Sequence, residues 1–211
     1  MRPKNADSEA TWNKIVEAAK GELAVDPAEG MTLSLRQVAI AADVSLGTIH
    51  YYFETKESLL EACLNAYYAA LAKLTSDLAD SVGRATRENA RAAIEDAVRR
   101  IYRFALSERP RLRLRASTNA TRGALHPERE EHVRRPYLDW LTPVVLRIVD
   151  VSELEVRMAI QTMSFAVMHY ALLSEPELEQ IARVGGNAGV QIIEDHLVEA
   201  SVRLLFTPPP S

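Results

Sequence analysis

Apolar residues in this chain recur at spacings of three and four almost throughout, and convincing period-two alternation is scarce. A chain patterned this way buries stripes on helices rather than the alternate faces of strands, so the expected fold is all-α. A first stripe, Trp12, Ile15, Ala19 and Leu23, predicts a helix over about 8–24, followed by a loop from Asp26 to Gly30 with its Pro27. Ser34-Leu35-Arg36-Gln37 has the Ser-x-x-Gln form of a capping box and predicts a short helix to about Ala42. Asp43-Val44-Ser45 then reads as a tight turn, with Ser45 capping a second short helix through Tyr52. Thr55 caps a long helix that Leu60, Cys63, Tyr67, Leu71, Leu74 and Leu78 carry to about Gly83.

Four further helices are expected. Ile94, Val98, Ile101 and Ala105 mark one, and Val133, Tyr137, Leu141, Val144 and Ile148 mark another that Pro136 and Pro143 should bend. Ser152-Glu153-Leu154-Glu155 opens a third with Leu154, Met158, Gln161, Phe165, Met168 and Leu172 in phase. Val190, Ile193, Leu197 and Leu204 mark the last, which Asn187 caps and Thr207-Pro208-Pro209-Pro210 terminates. Arg111 to Arg115 alternates like a strand but lacks a partner, so a short basic helix is the preferred reading. The expected domains are 1–55, two short helices braced by a first, and 56–211, a larger helical bundle.

Composition narrows the class. With 47% hydrophobic and 26% charged residues in 211, the chain can build a packed core without staples. A net charge of −4 gives no general attraction for polyanions, and the single Cys63 excludes a disulfide framework or a multi-cysteine metal site. The polar N-terminus and the reducing environment implied by one cysteine point to the cytoplasm. The longest uncharged run, Met158 to Ser174, is 17 residues and holds Gln161, Thr162, Ser164 and His169, short of the ~20 apolar residues a bilayer needs. No membrane association is expected.

Two short helices joined by a three-residue turn, with one helix before and a long one after, form the layout of a helix-turn-helix unit. Val38, Ala39, Ala42, Val44, Ile49 and Phe53 suit the crossing point, which leaves Gly47, Thr48, His50, Tyr51 and Tyr52 for the outside. Glycine at 47 lets a helix N-terminus come close to a phosphate or base edge, and the hydroxyl, imidazole and phenol groups suit phosphates and thymine methyls. Lys56, beside the open N–H groups of the long helix, and Arg36 add cations. The candidate DNA-contacting set is Ser34, Arg36, Ser45, Gly47, Thr48, His50, Tyr51, Tyr52 and Lys56.

Residues 12–60 resemble the DNA-binding region of the TetR family of bacterial transcriptional regulators. The diagnostic stretch is Val44-Ser45-Leu46-Gly47-Thr48-Ile49-His50-Tyr51-Tyr52-Phe53-Glu54-Thr55-Lys56, and Leu33 to Ala39 also fits. Leu46 and Glu54 stand where relatives often carry basic residues or proline. The resemblance implies a homodimer that binds a pseudo-palindromic operator on double-stranded DNA, most often as a repressor, with a small-molecule effector in its C-terminal domain. Residues 1–56 hold six basic and eight acidic side chains, a net of −2, so binding is expected to use a few placed cations, with Arg2 and Lys4 reaching along the backbone.

Other features carry less. Tyr67, Tyr102, Asn119, Trp140, Met163 and His169 are the candidate effector-binding residues, large or polar groups on helices expected to enclose the second domain. Helices near 153–173 and 190–206, apolar over more than one face, are the candidate dimer surface. Eight arginines between Arg99 and Arg122 read as a solvated, ion-paired face, with partners such as Glu128, Glu130 and Glu131. His126, Glu128 and His132 lack a third firm ligand, so no metal and no cofactor are expected. Cys63 reads as packing. No nucleophile elbow, phosphate loop or dinucleotide fingerprint is present, so an enzyme is not expected; the alternative is a small helical enzyme or carrier with a degenerate DNA-binding unit.

Overall fold

The computed structural model describes residues 6–26, 30–122 and 135–206. Among them the chain forms ten helices and one short ribbon. In order these are α1 (Ala6–Glu22), β1 (Ala24–Asp26), β2 (Gly30–Thr32), α2 (Leu35–Ala41), α3 (Leu46–Tyr52) and α4 (Lys56–Gly83). Then follow α5 (Ala90–Ser107), α6 (Arg109–Arg122), α7 (Arg135–Leu146), α8 (Glu153–Leu172), α9 (Glu175–Ala182) and α10 (Gly186–Phe206). The all-α expectation holds. The ribbon is a correction: Ala24 pairs with Thr32, Val25 with Met31 and Asp26 with Gly30, antiparallel, where a loop was expected. The apolar residues on either side of the Asp-Pro and Gly turn signals favour a hairpin there.

The chain divides into two compact units, 1–70 with 110–125 and 71–109 with 126–211. In the first, the stripe of α1 (Ile15, Val16, Ala19) is buried, as are Val38, Ala39 and Ala42 of α2, Ile49 of α3, Phe53, and Leu59 and Cys63 of α4. Trp12 stacks obliquely on Phe53, with ring centres 5.9 Å apart. Arg111 of α6, only 2% exposed, ties this core together by donating to the Val16 carbonyl (3.3 Å) and to the Glu17 carboxylate. The alternating segment 111–115 is helical, as preferred, but one of its arginines is interior rather than solvated.

The second unit packs α10 against α5, α8 and α9, and α8 against α5 and α7. Glu194 of α10 is buried and accepts from Arg103 (2.8 and 2.9 Å) and Arg99 (3.3 Å) of α5, while Arg99 also reaches Asp195 (3.0 Å). Two of the eight arginines, Arg99 and Arg103, are thus ion-paired with α10, whereas Glu128, Glu130 and Glu131 lie outside the described residues.

Helix α9 has no counterpart among the expected helices, although Ser174 and Glu177 announce it: the Glu177 carboxylate accepts from the Ser174 backbone N–H (2.8 Å) and hydroxyl (2.7 Å). The last helix begins at Gly186, at φ +59, so Asn187 sits in its first turn rather than at its cap. The in-phase series expected for α8 faces outward, with Leu154, Met158 and Phe165 69%, 60% and 56% exposed. Val156, Ala159, Val167 and Ala171 form the buried line instead. Both faces are apolar, so periodicity alone does not choose between them.

Candidate functional site

The crossing of α2 and α3 is set by local chemistry. Ser34 caps α2, its hydroxyl accepting from the Gln37 N–H at 3.4 Å, the serine half of the expected box. The helix closes with a paired C-terminal motif in which Val44 N–H donates to the Ala39 carbonyl and Asp43 N–H to that of Ile40, both at 3.0 Å. Asp43 takes the left-handed conformation that this motif requires, at φ 46. Ser45 then caps α3 by accepting from the Thr48 N–H (2.9 Å). Two caps and one left-handed residue therefore fix the angle at which α3 leaves the turn.

Ile49 and Phe53 anchor α3 from beneath, so the opposite face is open. Gly47, His50 and Tyr51 are exposed, Tyr51 to 79%. Ser34, Arg36 and Ser45 are exposed as well, and Lys56 is half-buried in the first turn of α4. Thr48 is half-buried, its hydroxyl 2.8 Å from that of Ser45. Tyr52 turns inward: its hydroxyl lies 3.1 Å from the Ser8 hydroxyl, and Tyr51 meets it edge-on with ring centres 5.2 Å apart. Tyr52 thus braces α3 against α1 and supports Tyr51, which presents its phenol to solvent.

Gly47 has no internal reason to be glycine. A Cβ there would meet only the Ser45 hydroxyl oxygen, at 3.5 Å, an ordinary contact. Ile40 was not among the candidates from sequence. It falls on the apolar period of α2, yet it is 66% exposed, one turn from Arg36. Leu46 is exposed beside Gly47. Exposed apolar side chains of this kind suit thymine methyls. Lys14 lies 3.8 Å from Asp43, a solvent-exposed pair of small energetic weight.

The candidate effector residues do not converge. Tyr67 is buried in the first unit, where Arg115 lies over its ring at 5.9 Å and over that of Tyr68 at 6.0 Å. In the second unit Tyr102 is buried, whereas Trp140 and His169 are exposed. His169 belongs to the outward line of α8, so its imidazole is not enclosed as the sequence suggested. The Asn119 side chain, with Arg2, Lys4, His126, Glu128 and His132, lies outside the described residues. Of the five that are described, Met163 alone lines the cavity of the second unit. Cys63 is buried beneath α1, its thiol 3.9 Å from the Val16 carbonyl, and burial pushes its pKa up to about 11.

A capped helix-turn-helix with one polar and aromatic face open, ahead of a helical bundle, defines the class of helix-turn-helix proteins. Residues 15–63 match the family model of bacterial regulatory proteins, tetR family; this region is a tetR-family domain, and the chain has the fold of that family's regulators. A Mesorhizobium loti protein assigned to the TetR family of transcriptional regulators is similar in structure, with a TM-score of 0.64 at 16% identity, over 97% of this chain and 100% of that one. A Streptomyces coelicolor protein assigned as a transcriptional regulator gives 0.62 at 18%, over 94% and 99%. The multidrug binding protein EbrR, in complex with malachite green, gives 0.54 at 18%, over 92% and 97%. No curated protein sequence matches the chain significantly. Among the described residues no helix is long and apolar enough to cross a membrane.

Proposed function

We propose that the protein is a homodimeric transcriptional regulator that binds a pseudo-palindromic DNA operator as a repressor and releases it when a small molecule binds. The observation that carries the reading is the open face of α3, where Gly47, His50 and Tyr51 stand outward on a helix locked by two caps. Function divides near Lys56: residues 1–55 read DNA, and 56–211 hold the effector and join the subunits. Arg36 and Lys56 contact phosphates on either side, Ser34, Ser45 and Thr48 supply hydroxyls at the helix starts, and Tyr52 acts by holding Tyr51.

Dimerisation supplies what one weakly charged subunit lacks, a second α3 one helical turn or a multiple away along the duplex. Leu154, Met158 and Phe165 on α8 and Ile192 and Leu204 on α10 are exposed in the single chain and suit burial against a second copy. The effector occupies the cavity that Met163 lines. Support for ligand binding as such, and not for the class of ligand, comes from the multidrug binding protein EbrR, of similar fold, in its complex with malachite green. Helix α4 runs continuously from one compact unit into the other and carries the signal, with a coupling of ~1–3 kcal/mol.

The test is a gel shift with fragments from upstream of the coding region. Wild-type protein should retard a specific fragment, and Tyr51→Ala and Lys56→Ala should each weaken the complex tenfold or more, about 1.4 kcal/mol. Binding to no fragment, or variants indistinguishable from wild type, overturns the proposal.

A further inference from the structure

The second unit contains a cavity of about 80 Å³, several times the ~10–15 Å³ that admits a single water. It lies among α4, α5, α7, α8 and α10 and is lined by Val82, Val98, Leu141, Met163, Leu205 and similar side chains. Every lining residue among the described ones is a hydrocarbon or thioether except Ser164 and Ser201. Ser164 donates its hydroxyl proton to the Ile160 carbonyl and Ser201 donates to that of Val198, each at 2.7 Å. Neither proton is available to a ligand. The Ser201 oxygen, nearly inaccessible to solvent, can still accept one hydrogen bond.

No charged side chain lines the cavity among the described residues. The buried carboxylate of α10, Glu194, is held by Arg103 and Arg99. An ion entering the cavity would lose its hydration without gaining a counter-charge, which a small ligand cannot offset by apolar contact. A neutral ligand faces no such cost, and a dry apolar cavity of this kind takes hydrocarbon readily.

From these features we infer that the effector is an uncharged, largely hydrocarbon molecule no larger than a single small ring, carrying at most one hydrogen-bond donor, which it gives to Ser201. Anionic and cationic compounds of the same size are excluded. The inference rests on the proposed regulatory reading only in calling the ligand an effector. The cavity backs onto the inner faces of α8 and α10, whose outer faces are the proposed dimer surface, so a ligand here acts where the subunits meet.

The experiment measures binding to the full-length protein by calorimetry and thermal shift, with phenol as the neutral probe, benzoate as the anion and benzylammonium as the cation. The neutral probe should bind at least tenfold more tightly than either ion. Ala159→Leu, which fills the cavity from α8, should weaken that binding at least tenfold without lowering the melting temperature. If this variant does not fold, Ala97→Val fills the cavity from α5 and should have the same effect. Equal or tighter binding of an ion, no binding of any probe, or unchanged affinity in a folded filling variant overturns the inference. DNA affinity, measured separately, distinguishes the two readings. Neutral binding that leaves the operator complex intact sinks the regulatory reading and keeps the ligand class; release by an anion alone does the reverse.

Discussion

Replacing Gly47 by alanine separates what the fold needs from what a partner needs. Gly47 is the second residue of α3, its backbone is ordinary helix, and the added methyl would touch only the Ser45 hydroxyl, at 3.5 Å. Glycine at an exposed helical position costs about 0.5–1 kcal/mol relative to alanine, because more backbone freedom is lost on folding. The free protein should therefore gain about 0.5–1 kcal/mol, a rise of about 1–4 °C in melting temperature for a chain of this size. DNA affinity should move the other way. A methyl on the face that meets the duplex holds the helix off the groove, and a loss of about tenfold, about 1.4 kcal/mol, is expected at constant salt. Thermal melts and a fluorescence-anisotropy titration on the selected fragment give both numbers from one preparation. A stabilised variant with wild-type affinity would show that glycine at 47 is not there for close approach. A destabilised variant would show that the methyl meets something inside the protein after all.

Other consequences follow from buried groups. Arg111→Ala removes the donor to the Val16 carbonyl and should cost about 1–3 kcal/mol in urea unfolding, since a buried acceptor loses a charged partner; Arg113→Ala, on the same helix, serves as the control. Hydrogen bonds from Arg103, and then from Arg99, hold the Glu194 carboxyl below its usual pKa of 4.5. The stabilisation is complete above that value and is lost as the pH falls through the lower folded value, so Glu194→Gln should be less stable than wild type at pH 6 and converge with it in acid melts. Cys63, with its pKa raised to about 11 by burial, should resist thiol reagents at pH 8 in the native protein and react fully in urea.

The parts of this molecule that were legible in the sequence are those governed by neighbours along the chain. Ser34, Ser45, Thr55 and Ser152 each cap the helix that their side chains announce, because a cap needs only residues three positions away. The helix-turn-helix was legible for the same reason, since turn, caps and inner apolar residues all fall within twenty positions. What was not legible depends on distant partners. Arg111 looked like one of a row of solvated arginines until α1 supplied Val16 and Glu17, nearly a hundred positions away. On α8 two apolar lines compete, and only the packing against α5, α7 and α10 shows that the line of smaller residues faces in, carrying His169 outward. The cavity was not legible because aliphatic side chains lining a void read as core; of the described effector candidates Met163 alone reaches it. Helix α9 was missed although Ser174 and Glu177 carry the same capping signal as Ser152 and Glu155.

A hydroxyl-radical footprint of the full-length protein on a fragment selected from genomic DNA tests most directly whether paired α3 helices enter the major groove. Two protected segments, centred one helical turn or a multiple apart and both lost with Tyr51→Ala, are the predicted result. A footprint of one segment, or one that survives Tyr51→Ala unchanged, would contradict the account.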